Sequence, residues 1–201
     1  MTTGSQSKRR LDRWSPAWRV HCLVVIAAAR LWVAPASADT RPPTEYEMKA
    51  VFIYNFAKYI QWPGLATPET EKPFVVGLIG KDPFGPVLDD VMRGQRVQNR
   101  AVVVRRFATV HEVVNCDILF VGSSEQANLQ RIFEALRRAP VLTVGDMDHF
   151  AERGGMINLT TEENRIRFEI NMEAIGRSGL KAGSQLLRLA RLVTESRSGE
   201  R

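Results

Sequence analysis

Two hydrophobic periods alternate along this chain. Thr44 and Glu47 form an S/T-x-x-E capping box. Met48, Val51, Phe52, Asn55, Phe56, Tyr59 and Ile60 follow at helical spacing. Trp62-Pro63 ends that helix, because proline restricts the residue before it, and 64–72 reads as a loop. Phe74–Ile79 is an unbroken apolar run between Pro73 and Gly80, the pattern of a strand covered on both faces. Beyond it, helical and strand signals take turns. A helix is expected at Pro86–Met92 with Gly94 as its stop, then a strand at 101–104, a helical turn at 110–114 and a strand at 117–121. A helix over 127–138, closed by Pro140, and a strand at 141–144 follow. Repeated strand–helix units predict an α/β fold with a mostly parallel central sheet flanked by helices. The strands at 156–159 and 165–170, joined by the polar stretch 160–164, predict a C-terminal antiparallel hairpin. Leu186, Leu187, Leu189, Ala190 and Val193 predict a final helix over 180–194, with a polar tail from Glu195. There is no internal repeat or linker, so one domain is expected.

Charge changes the picture of the N-terminus. The net charge is +6 and the pI about 9.7, values that point toward a polyanion partner. Lys8, Arg9, Arg10, Arg13, Arg19 and Arg30 face only Asp12 within residues 1–38, so five of the six charges sit there. That segment has a basic start, an apolar stretch from Val20 and an Ala36-Ser37-Ala38 site. These are the parts of a secretory signal peptide, with cleavage expected after Ala38 and a working domain at 39–201. The apolar stretch is too short to span a bilayer. The remaining chain is close to neutral, and the pairs Arg105-Arg106 and Arg137-Arg138 lack interleaved aromatics, so nucleic acid is not an expected partner. Two cysteines exclude a disulfide-dense scaffold, and Cys116 has no partner once Cys22 is removed.

Candidate chemistry is sparse. Gly80-Lys81 is followed by Asp82, so a phosphate loop lacks its hydroxyl, and no G-x-G-x-x-G is present. Gly122-Ser123-Ser124 lies between a strand and a helix, where it either holds an anion or caps the helix. Asp146, Asp148 and His149 offer metal-ligand chemistry after a strand, or form a solvated turn. No G-x-S-x-G elbow occurs. Nothing calls for a cofactor, a metal or a catalytic residue. Tyr46, Phe52, Tyr54, Phe56, Tyr59 and Trp62 are too many aromatics for one helical stripe, so some are expected at an interface or pocket edge.

Six segments carry a resemblance. They are 49–63, 116–120, 141–146 with Gly145-Asp146, Gly154-Gly155-Met156-Ile157, Phe168-Glu169-Ile170-Asn171 and the closing 184–190. In this order they resemble the YfiR-like family of bacterial periplasmic proteins, over about residues 44–194. The resemblance implies a small α/β domain without catalytic residues, often dimeric. It also implies a repressor of YfiN, an inner-membrane diguanylate cyclase, bound through the cyclase's periplasmic domain. An OmpA-like outer-membrane lipoprotein, YfiB, is implied as the factor that sequesters the repressor. Cys116 resembles one of the family's disulfide cysteines, here without an intrachain partner; a bridge between two chains stays open. Partner or ligand contacts are expected at Phe52, Asn55, Tyr59, Trp62, Glu169 and Asn171. The alternative function is a periplasmic small-molecule sensor with a pocket formed by the helix-one aromatics and 168–171. A hydrolase or metal enzyme using Asp146, Asp148 and His149 is a third class.

Overall fold

The computed structural model describes residues 42–62, 72–113 and 115–196. The expected signal segment and its cleavage site lie outside the described residues. From Pro43 onward the chain forms one compact unit.

Helix α1, Glu45–Tyr59, starts as its capping box dictates. The Glu47 N–H donates to the Thr44 hydroxyl at 3.3 Å, and the Thr44 N–H donates to the Glu47 carboxylate at 2.6 Å. Two short strands, β1 (Ile60–Gln61) and β9 (Lys181–Ala182), pair antiparallel and tie the end of α1 to the C-terminal segment. The remaining strands form one eight-stranded sheet. In chain order they are β2 (Phe74–Ile79), β3 (Arg96–Val97), β4 (Arg100–Phe107), β5 (Ile118–Val121), β6 (Leu142–Gly145), β7 (Ile157–Glu162), β8 (Arg165–Asn171) and β10 (Arg191–Val193). Their spatial order is β10-β8-β7-β6-β5-β2-β4-β3. The central strands β4, β2, β5, β6 and β7 run parallel, and β7–β8 is the expected antiparallel hairpin. The mostly parallel sheet flanked by helices is therefore what the periodicity predicts.

Every residue of β2 is buried because both faces of the sheet are covered. On one face, Ile53 and Phe56 of α1 and Leu88 and Met92 of α2 (Pro86–Met92) pack on Val76, Phe120, Val144 and Ile170. On the other, Leu129, Ile132 and Leu136 of α3 (Leu129–Leu136) and Phe150 pack on Val75, Leu119 and Val121. Phe150 needs the adjacent glycines: a Cβ on Gly145 would stand 2.7 Å from its ring, and one on Gly155 would also collide with it.

The C-terminus departs from expectation. In place of a helix over 180–194, the chain forms β9, a single turn α5 (Ser184–Leu187) and β10. The free edge of β8 explains this. Its outer N–H and C=O groups need partners, and Arg191–Val193 supplies them by running parallel beside Glu169–Asn171. A short helix α4 (Met172–Arg177) also follows the hairpin. The expected 127–138 helix begins instead as a 3-10 stretch, Ser123–Asn128, before α3.

The starting ends of the central strands meet at one buried ion pair. Arg100 donates to both carboxylate oxygens of Asp117 at 2.8 Å, with the two side chains 8% and 11% exposed. Asp117 also accepts from the Val75 N–H at 2.8 Å, and its carbonyl accepts from the Trp62 indole N–H at 3.3 Å and from the Leu142 N–H at 2.9 Å. Arg100 reaches the carbonyls of Lys72 and Pro73 and lies over the Phe74 ring. One guanidinium and one carboxylate thus join β2, β4, β5, β6 and the chain after α1. Removing either partner strands a buried charge, so Arg100→Ala and Asp117→Ala should each lose about 3–5 kcal/mol in urea unfolding. The double variant Arg100→Met/Asp117→Leu should lose clearly less than the sum of the two. Additive losses would show that the pair is not coupled.

Candidate functional site

Open α/β sheets usually bind ligands where the strand order reverses, outside the carboxyl ends of the strands. Here that place lies between β2 and β5, where the two following loops are bonded to each other. The Gly122 N–H donates to the Ile79 carbonyl at 2.9 Å, and the Lys81 N–H donates to the Ser124 hydroxyl at 2.8 Å. A Cβ on Gly122 would stand 2.5 Å from the Lys81 carbonyl oxygen. Ser124 therefore satisfies a neighbouring loop rather than capping its own helix.

The Asp146, Asp148 and His149 trio does not assemble. Asp146 turns to α1, where its carboxylate, 6% exposed, accepts from Lys49 Nζ at 2.9 Å and from the Tyr46 hydroxyl at 3.1 Å. Lys49 also meets Glu45 at 2.6 Å. Burial opposes the Lys49 charge, but the hydrogen bonds to Asp146 and Glu45 outweigh it and carry its pKa above the usual lysine value. The same bond to Lys49, with one from Thr161, lowers Glu45. Desolvation, then the Asp146 charge, raises Tyr46. Asp148 and His149 are exposed, and His149 pairs with Glu152 at 2.6 Å. Among the described residues no group of three His, Cys, Asp or Glu side chains could hold a metal. Cys116 is buried, donates its thiol to the Ile118 carbonyl, and is pushed up to about 12 by burial, so it stays a packed, protonated thiol.

What remains distinctive is α1. At about 100° per residue its side chains fall into three faces. Ala50, Ile53, Phe56 and Ala57 are buried together with Lys49, and Glu47, Tyr54 and Lys58 form a polar side on which Lys58 stands over the Tyr54 ring at 4.0 Å. The third face holds Met48, Val51, Phe52, Asn55 and Tyr59 within an arc of about 100°. Met48, Val51 and Tyr59 are 38%, 43% and 40% exposed, and Phe52 and Asn55 are half-buried. Phe52 touches Phe168 of β8 at a ring distance of 5.8 Å. The Tyr59 carbonyl accepts from the Gly183 N–H at 2.8 Å, where the C-terminal segment begins. That segment exposes Leu189 and Leu192 at 73% and 59%. Leu192 lies in register with Ile170, a residue of the α1-side core, and so faces the α1 side of the sheet.

Of the six expected contact residues, the structure brings together Phe52, Asn55 and Tyr59. It places the other three elsewhere. Trp62 is 7% exposed, stacked edge-on against Phe74 and bonded to Asp117. Asn171 is fully buried: its side chain accepts from the Ala174 N–H at 2.9 Å, capping α4, and donates to the Ala151 carbonyl at 2.8 Å. Glu169 is buried against Asn158 at 3.0 Å and paired with Arg191. Glu169 and Asn171 point to the sheet face opposite Phe168 and Ile170, so Phe168 packs on the α1 aromatics while Glu169 and Asn171 do not join them. Met48 and Val51, read as helically spaced with Phe56 and Ile60, do not share their face and stand on the outer one. The buried stripe is one residue further round the helix and contains Lys49, whose charge is matched by Asp146.

Residues 46–191 match the family described as YfiR/HmsC-like. The chain belongs to the YfiR/HmsC-like family. That family is periplasmic and regulatory rather than catalytic, and it is tied to the regulation of diguanylate cyclase signalling. Among the described residues no helix is long and apolar enough to cross a membrane. Among solved structures, a conserved domain protein from Vibrio cholerae matches with a TM-score of 0.51 at 12% identity, covering 76% of this chain and 60% of that one. An ABC domain in complex with L-Trp from Streptococcus pneumonia matches at 0.44 and 9% identity over 62% of this chain and 56% of that one. A ligand-free, open substrate-binding protein with adhesive properties from Clostridium difficile matches at 0.43 and 11% identity over the same shares, 62% and 56%. The chain thus spans 56–60% of the length of these solved proteins. The first match shows a shared α/β fold.

If the outer face of α1 is free of a structural task, its residues should be replaceable. Val51→Ser and Tyr59→Ser should shift unfolding free energy by within about 0.5 kcal/mol, whereas Phe56→Ala on the buried face should cost about 3–5 kcal/mol. Chemical denaturation of the three variants checks this.

Proposed function

We propose that this protein is a periplasmic repressor that holds an inner-membrane diguanylate cyclase of the YfiN kind inactive. It would do so by binding the cyclase's periplasmic domain through the outer face of α1. Membership of a periplasmic regulatory family supports the setting. The observation that carries the surface is the second, mostly apolar face of α1, with Met48, Val51 and Tyr59 exposed and Phe52 and Asn55 half-buried, on a helix already anchored by its opposite side. Apolar and aromatic groups standing clear of a core are what a protein partner covers. In this reading residues 1–38 export the chain and are cleaved after Ala38, and the protein acts without a cofactor.

Repression requires differential binding. A protein that bound active and inactive cyclase equally would shift nothing. Driving the cyclase from 99% active to 99% inactive needs about a ten-thousand-fold preference for the inactive form. An OmpA-like outer-membrane lipoprotein of the YfiB kind would lift repression by covering the same face. A homodimer through α1 would compete with both partners.

The test is cellular. Deleting the gene should raise cyclic-di-GMP severalfold and increase biofilm, and the wild-type copy should restore both. A Met48→Glu/Val51→Glu copy should fail to restore them while accumulating to the same level with the same melting temperature. Unchanged cyclic-di-GMP in the deletion, or full rescue by the double variant, would contradict the proposal.

A further inference from the structure

On the sheet face opposite α1 a cleft of about 620 Å³ opens between α3, the loop at 153–156 and α4, a volume typical of small-molecule sites. Its apolar surface comes from Phe133, Leu136, Met156 and Ala174. Phe133 is half-buried, its position fixed by edge-on contact with Phe150 at 5.4 Å. Its charged lining is Arg137, Arg153 and Arg177 with Glu134, Glu173 and Glu195. Arg153 is oriented by a bond to the Gln126 carbonyl at 3.1 Å. Arg177 meets Glu173 at 3.3 Å along α4.

The sixth charged group reaches the cleft from the C-terminal side. Past β10, Glu195 and Ser196 line the cleft as a short strap, and Glu195 lays its carboxylate on Arg177 at 2.6 Å. Gly154 lies beneath: a Cβ there would stand 3.4 Å from the Phe133 ring and 3.5 Å from Glu195 Oε1. A carboxylate is therefore already seated beside an aromatic ring and on a guanidinium, and it belongs to the chain itself. The strap is held lightly. Beyond the Arg177 pair, the Ser196 N–H donates to the Glu152 carbonyl at 2.8 Å. Arg177 and Glu195 are 33% and 36% exposed, and an ion pair that open to water is weak.

We infer that this cleft is a binding site for a small organic monocarboxylate with an apolar, ring-sized body, and that Glu195 is its built-in competitor. With Glu195 seated, three arginines face three glutamates. When the strap lifts, three arginines face two glutamates, and Arg177 keeps only its longer contact to Glu173 at 3.3 Å, so its planar fork can take a carboxylate in place of Glu195. An incoming carboxylate restores the balance, and its body covers Phe133 and Met156. The site shares no residue with the outer face of α1, so it stands or falls apart from the repressor proposal.

Phenylacetate is the probe, with neutral phenylacetamide as its isosteric control, each titrated into the protein and followed by the amide NMR signals of Gly154 and Ala174. Phenylacetate should shift those signals saturably, and phenylacetamide should bind at least tenfold more weakly. In Glu195→Gln the phenylacetate affinity should rise about tenfold, because the competitor is gone. Equal binding of the two probes would overturn the carboxylate assignment. No gain in Glu195→Gln would overturn the competitor role. No saturable shift in either protein would overturn the site.

Discussion

The sheet depends on a buried charge pair that its own strands cannot avoid. Parallel strands start together, and at their starting ends backbone groups from β2, β5 and β6 converge where water is excluded. Asp117 answers this by giving its carboxylate to the Val75 N–H and to Arg100 and its carbonyl to Trp62 and Leu142. Arg100, from β4, returns the contact and takes two more carbonyls. Such a pair contributes little to stability compared with an apolar replacement, but neither member tolerates loss of the other. Four strands and Trp62 after α1 are tied together at this one place.

A second pair does the same work at the opposite end. Lys49 and Asp146 fix α1 against the finish of β6, with Tyr46 and Glu45 completing the set. With Trp62 held at one end and Lys49 near the other, α1 cannot roll. That rigidity allows its second apolar face to stay outward. A helix free to rotate would bury Met48 and Val51 and expose Lys49. The outer face is thus a consequence of where two charges are neutralised, which connects the fold to the proposed contact surface.

Local signals in the sequence were enough for much of this architecture. The Thr44–Glu47 box, the apolar run of β2 and the hairpin of β7 and β8 each depend on neighbours in the chain, and each forms as read. The C-terminal helix over 180–194 did not form, because the decisive partner was the unpaired edge of β8, which no local pattern reveals. Pairing across long separations was equally hidden: Lys49 and Asp146 lie 97 residues apart, and nothing local marks them as partners. The surplus of aromatics on α1 did announce a surface, and Phe52, Asn55 and Tyr59 share it. Glu169 and Asn171 were expected as partner or ligand contacts. Their bonds to Asn158, Arg191, Ala174 and Ala151 show what their polarity serves in the fold. The cleft over Gly154 had no signature at all, since its walls come from five separated segments.

The central claim is that the outer face of α1 is the surface that meets the cyclase. Site-specific photocrosslinking in living cells tests it most directly. A photoreactive residue at position 51 or 59 should cross-link to the cyclase's periplasmic domain, and one at the exposed position 131, on the far side of the sheet, should not. Cross-links from 131 with none from 51 and 59 would contradict the account.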